Sequence, residues 1–146
     1  MKTIVVPVDL SAASRPVCKV ACDLARCTRS AVRLVHVVQP PFLVADMYGI
    51  EGPYLQEAIA AAMAAGKQHL QTLARACTKR GLRVTTYQDF GDPSSTILRQ
   101  ARRATFVVIG SHGHGAMFDL LLGSTTQGVI KRARCPVVVV PITSKT

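Results

Sequence analysis

Five short apolar runs rich in β-branched residues alternate with longer stretches of helical periodicity, and few architectures accommodate that alternation. The runs are residues 3–8 (TIVVPV), 31–38 (AVRLVHVV), 82–87 (LRVTTY), 105–109 (TFVVI) and 136–140 (PVVVV). Near-continuous apolar character marks strands buried on both faces. Over residues 12–27, Val17, Val20, Ala21, Leu24 and Ala25 recur every three or four positions, with Arg15, Lys19 and Arg26 on the other side. Asp9 and Ser11, both good capping residues, are predicted to start that helix. An Ala-rich helix is predicted over residues 54–80, closed by Gly81. Asp92 and Pro93 suit the cap and first position of a third helix, running to about residue 103. A fourth is predicted over residues 123–134. Residues 39–53, with three prolines and two glycines, read as a long surface excursion.

Strand and helix in strict alternation imply right-handed crossovers and a mostly parallel sheet. The sequence therefore predicts an α/β fold: a single doubly wound domain over residues 1–146, with five parallel strands and helices on both faces. No apolar run reaches the roughly 18 residues that cross a bilayer, so no membrane association is expected. Asp9 interrupts the first apolar run, which argues against a secretory leader. A cytoplasmic protein is expected.

The net charge of +10 is uneven. Residues 1–73 carry seven basic and five acidic side chains, and residues 74–146 carry eleven and three. Such an excess favours anionic partners, among them nucleotides and nucleic acid. Aromatic residues are only 5% of the chain, which leaves few platforms for stacking bases. A nucleic-acid-binding module therefore ranks below a nucleotide site, and no nucleic-acid partner is expected. The five cysteines include no CxxC pair. Cys18 and Cys22 share a helix face, and buried free thiols are expected.

In an open parallel sheet, ligands bind beyond the C-terminal ends of the strands. The loop after the fourth strand is glycine-rich: Gly110 and Gly113 are followed by Gly123, Ser124 and Thr125 at the start of the last helix. Glycines let backbone N–H groups approach a ligand closely. A helix N-terminus attracts anions. The loop lacks the Gly-Lys-Ser/Thr ending of a Walker A motif, with no Lys in residues 110–130. His112, His114 and Asp119 are read as surface loop residues and His36 as a satisfied core or pocket-wall histidine. No nucleophile–base set, metal cluster or carboxylate pair is evident, so no catalytic residue is assigned.

The spacing Gly-x2-Gly-x9-Gly-Ser, carried by Gly110, Gly113, Gly123 and Ser124, resembles the signature of the universal stress proteins. The resemblance extends over the chain through IVVPVDLS, VRLVHVV, GDPSSTILRQA and CPVVVVP. It implies a Rossmann-like domain of the adenine nucleotide alpha hydrolase type, in the branch that binds ATP, with Mg²⁺ accompanying the triphosphate. On that resemblance Asp9 would accept hydrogen bonds from the ribose, and Pro7 and Val8 would line the adenine side. Val37 would offer backbone groups to the adenine edge, with Ile109 and Gly110 near the sugar. Gly113, Gly123, Ser124 and Thr125 would hold the phosphates. The expected function is a nucleotide-dependent stress sensor or regulator. A slow ATPase, or an enzyme autophosphorylating at Ser124 or Thr125, is the alternative. The apolar last strand, from Pro136 to Val140, is expected at a sheet edge and to pair two copies into a homodimer.

Overall fold

A computed structural model describes residues 2–39, 52–113 and 122–143. Five strands, β1 (Thr3–Pro7), β2 (Ala31–Val38), β3 (Val84–Phe90), β4 (Phe106–Gly110) and β5 (Val137–Val140), form one parallel sheet in the order β3-β2-β1-β4-β5. Four helices connect them: α1 (Ser14–Thr28), α2 (Pro53–Thr78), α3 (Pro93–Gln100) and α4 (Ser124–Arg132). The order reverses at β1, whose neighbours are β2 and β4. That reversal leaves a crevice beyond the C-terminal ends of β1 and β4.

Alternation along the central strands divides the core into two layers. Ile4, Val6, Val32, Leu34 and Val108 pack with Val17, Ala21 and Ala25 of α1 and Leu70 of α2. On the opposite side, Val5, Val35, Val107 and Ile109 pack with Ile97 of α3 and Val129 of α4. Ile4, Val6, Val32, Leu34, Val107 and Val108 are wholly inaccessible. Each such side chain contributes roughly 1.5–3 kcal/mol relative to an exposed position.

Cys18 and Cys22 do share the buried face of α1, and Cys77 of α2 meets them there. Burial pushes the Cys22 thiol up to about 12. A hydrogen bond with Cys77 holds Cys18 below the ordinary thiol range and pushes Cys77 above it. Cys27 departs from the expectation of burial: it lies on the exposed side of α1.

Several boundaries differ from those read in the sequence. Helix α1 begins at Ser14 with Ala13 at the cap position and no side-chain cap. Asp9 bonds the serines instead of capping the helix, and the Ser11 hydroxyl oxygen accepts from the Ala13 N–H at 3.2 Å, in the turn just ahead of the helix. Asp9 Oδ1 accepts from the Ser11 N–H (3.0 Å), the Ser11 hydroxyl (2.7 Å) and the Ser14 hydroxyl (3.1 Å). Strand β3 starts at Val84, after a turn in which Gly81 adopts φ +78°, and continues through Gln88 and Asp89 to Phe90. Its polar end belongs to an edge strand that pairs with β2 along its whole length, up to Val38↔Phe90. Asp92 does cap α3: its carboxylate accepts from the Ser95 N–H at 2.8 Å. That helix ends three residues early, at Gln100, and α4 ends at Arg132 because Ala133 is extended. Most of the excursion over residues 39–53 lies outside the described residues.

Candidate nucleotide site

The crevice at the strand-order reversal holds a cavity of about 510 Å³. Strand β1 delivers Pro7, Val8 and Asp9 to it, β2 delivers Val37, and β4 delivers Ile109 and Gly110. Gly113 follows from the loop, and Gly123, Ser124 and Thr125 complete the wall at the start of α4. All ten residues singled out in the sequence thus line one cavity. Val8 is fixed by its N–H, which donates to the Val35 carbonyl at 2.9 Å. The Val8 carbonyl lies 3.0 Å from His36 Nδ1, which makes His36 a satisfied histidine.

Space, and not backbone strain, explains the glycines. None of Gly110, Gly113 and Gly123 has a positive φ, and Gly123 is extended at φ −61° and ψ 153°. A Cβ at Gly113 would lie 2.8 Å from Asp9 Oδ2, so a side chain there would displace the carboxylate from its present position. At Gly110 a Cβ would stand 3.3 Å from the Ile142 side chain and 3.4 Å from Val17. At Gly123 it would stand 3.3 Å from the His112 Cα.

Donors converge on the same space. No side chain caps α4, and the first-turn N–H groups of a helix have no intrahelical acceptors. The positive end of the macrodipole lies there as well. The turn is held by the Thr126 hydroxyl, which donates to the Gly110 carbonyl at 2.8 Å. The Gly123 N–H donates to the Ser111 carbonyl at 2.8 Å. Ser111 in turn ties the loop to the segment after β5. Its N–H donates to the Val140 carbonyl at 2.8 Å, and its hydroxyl accepts from the Ile142 N–H at 2.9 Å. The cavity wall contains one carboxylate, Asp9, and no Lys or Arg among the described residues. Nor do these residues include a cluster of three or more His, Cys, Asp or Glu fit to hold a metal ion.

Sequence reasoning missed part of the wall. His112 is not a surface residue: it is 8% exposed, lines the cavity, and places Nδ1 3.2 Å from the Ser111 hydroxyl. Ala13, Ser14 and Val17 enter from α1, and Pro93 and Ile97 from α3. The helical pattern marked Val17 as a buried position, but only the crossovers show which buried positions face the crevice. His114 and Asp119 lie outside the described residues.

A doubly wound parallel sheet with a crevice at its switch point defines a class of small α/β domains. Within that class, this chain belongs to the universal stress protein family, whose profile matches residues 1–141. It is similar to universal stress protein MJ0531 of Methanocaldococcus jannaschii, at 30% identity over 142 residues, 95% of this chain and 81% of that protein. Among solved structures it resembles the universal stress protein UspA from Lactobacillus plantarum, with a TM-score of 0.81 at 24% identity over 95% of this chain and 97% of that one. It also resembles the universal stress protein from Archaeoglobus fulgidus in complex with dAMP, with a TM-score of 0.67 at 24% identity over 95% and 97%. No helix among the described residues is long and apolar enough to cross a membrane.

Proposed function

We propose that the cavity binds an adenine nucleotide, ATP with Mg²⁺, and that the protein acts in the cytoplasm as a nucleotide-dependent stress sensor or regulator. One observation carries the reading: a carboxylate, three closely packed glycines and an uncapped helix N-terminus line a single cavity. Asp9 accepts from the ribose hydroxyls, a task for an ionised carboxylate. Pro7 and Val8 flank the adenine, Val37 offers it backbone groups, and Ile109 and Gly110 face the sugar. Gly113, Gly123, Ser124 and Thr125 take the phosphates through N–H and hydroxyl donors. Mg²⁺ would accompany the phosphates, neutralising their charge, and would be held by phosphate oxygens and water. The similarity to a family member complexed with dAMP supports adenine as the base.

A wall without Lys or Arg among the described residues favours holding a triphosphate over cleaving it, because phosphoryl transfer needs charge stabilisation and a positioned base. Isothermal titration with ATP, ADP and AMP, together with mass spectrometry of nucleotide retained through purification, tests the reading. Micromolar affinity for at least one adenine nucleotide is expected, and no affinity below millimolar for any of them overturns it.

The same proposal includes a homodimer through β5. That strand is apolar and, among the described residues, pairs on one side only, with β4. Sedimentation is expected to show a dimer at micromolar concentration and a folded monomer for Val139→Lys. A wild-type monomer rules the interface out.

A further inference from the structure

The N-terminal ends of the five strands lie along one edge of the sheet, opposite the cavity, and a basic residue stands at each entrance. Lys2 precedes β1, Arg29 precedes β2, Arg83 precedes β3, Arg103 lies before β4 and Arg134 before β5. All five are exposed. Backbone bonds hold the entrances level: the Ala31 N–H donates to the Lys2 carbonyl (2.9 Å), Val32 to Arg83 (2.9 Å) and Thr105 to Thr3 (2.8 Å). Neighbouring strands stand about 4.8 Å apart, so the row extends over roughly 20 Å. Arg80 and Arg102, also exposed, thicken it.

Acidic side chains are segregated from this edge. Of the five among the described residues, Asp9, Glu57, Asp89 and Asp92 lie at the C-terminal ends of strands or the first turns of helices. Only Asp23 reaches the basic end, 3.8 Å from Arg80. Helix C-termini point the same way, and their dipoles account for basic residues in last turns, such as Arg26 and Lys131. The effect reaches Arg29, the C-cap residue of α1, but fades beyond the last turn and so does not account for Lys2, Arg83, Arg103 or Arg134. Arg29 even occupies left-handed backbone, φ 51°, where glycine or asparagine is the easier residue.

We propose that this edge binds the phosphate backbone of a nucleic-acid duplex, independently of sequence. Guanidinium forks match phosphate oxygens. A row of about 20 Å runs beside roughly six base pairs at 3.4 Å each. The one aromatic residue described at this edge, Phe106, packs into the core, so there is no platform for unpaired bases. None of the exposed large apolar side chains lies at a strand entrance to wedge into a bilayer. The scarcity of aromatics that counts against reading bases has no bearing on backbone contacts, which carry no sequence information.

The test is fluorescence anisotropy of a labelled mixed-sequence DNA duplex titrated with the intact protein. Neutralising about four phosphates gives micromolar affinity at about 50 mM salt and a loss of roughly 100-fold by about 200 mM. The triple variant Arg102→Ala, Arg103→Ala, Arg134→Ala is expected to flatten the slope of log affinity against log salt by roughly 3. A second triple, Arg15→Ala, Lys19→Ala, Lys67→Ala, removes the same charge from exposed positions elsewhere and is expected to keep the wild-type slope. Circular dichroism confirms that both remain folded. Absence of duplex binding, equal losses in the two triples, or tighter binding to phosphatidylserine-containing vesicles than to the duplex would each overturn the proposal.

Discussion

The two edges of the sheet carry opposite chemistries. At the C-terminal edge stand glycines, hydroxyls, a helix N-terminus and the Asp9 carboxylate, with no Lys or Arg among the described cavity residues. At the N-terminal edge every strand is entered past an exposed cation. An enclosed site with fixed N–H dipoles can select one small ligand by shape. An open row of guanidiniums recognises only charge density, and salt screens it. Net charge therefore says little about the chemistry of the crevice, since the +10 resides largely away from it.

The comparison breaks most sharply at Gly113. Gly113→Val is expected to abolish detectable nucleotide binding by isothermal titration, because its Cβ would meet Asp9 Oδ2 at 2.8 Å and the rest of the side chain would fill the cavity. Unfolding temperature should change little, the loop being exposed at that point. Retained affinity would mean that phosphates do not pass this wall. Asp9→Ala comes next, with an expected affinity loss of about 10- to 150-fold for one charge-assisted contact worth roughly 1.5–3 kcal/mol. Asp9 does not cap α1, so a fall in stability without a fall in affinity would reduce it to a clasp for Ser11 and Ser14.

A smaller effect sharpens the contrast from the other side. Arg102→Ala with Arg103→Ala should leave nucleotide affinity within about twofold, since charges beyond a Debye length of about 8 Å are screened at physiological salt. A larger loss would mean that the edges communicate. The smallest effect concerns Asp92 at the start of α3. Hydrogen bonds from the Ser95 hydroxyl and N–H hold its carboxyl below the usual range. Its contribution is thus present above the unfolded value of about 3.9 and is lost as pH falls through the folded value. Asp92→Ala should cost about 1 kcal/mol at neutral pH, and the difference from wild type in denaturant unfolding should vanish in acid.

How far the sequence could be read depended on whether the information was local. The alternation of β-branched runs with helical periods sufficed for five parallel strands, and the Gly110–Gly113–Gly123–Ser124 spacing sufficed for one wall of the cavity. Asp9 misled because capping preference is a statement about a side chain and its own helix, whereas Asp9 folds onto two hydroxyls instead. His112 looked like loop surface because nothing in its local sequence signals that Gly123 packs close to it. The polar end of β3 gave no strand signal, because an edge strand takes its conformation from its neighbour. The basic edge was visible only as a total. Its members are scattered through the chain, and parallel topology alone lines them up.

Strand β1 is the member of this architecture with no slack. It is the central strand, it divides its side chains between the two layers, and it ends on the cavity. One residue inserted between Val5 and Val6 would send Val6 to the wrong layer and carry Asp9 some 3.3 Å along the strand axis, away from its place opposite Gly113. A helix such as α2, 26 residues long and largely exposed, can gain or lose a turn and still bridge its two strands. Length variation in relatives of this chain should therefore collect in the crossovers and spare β1, whose reading frame the core and the crevice share.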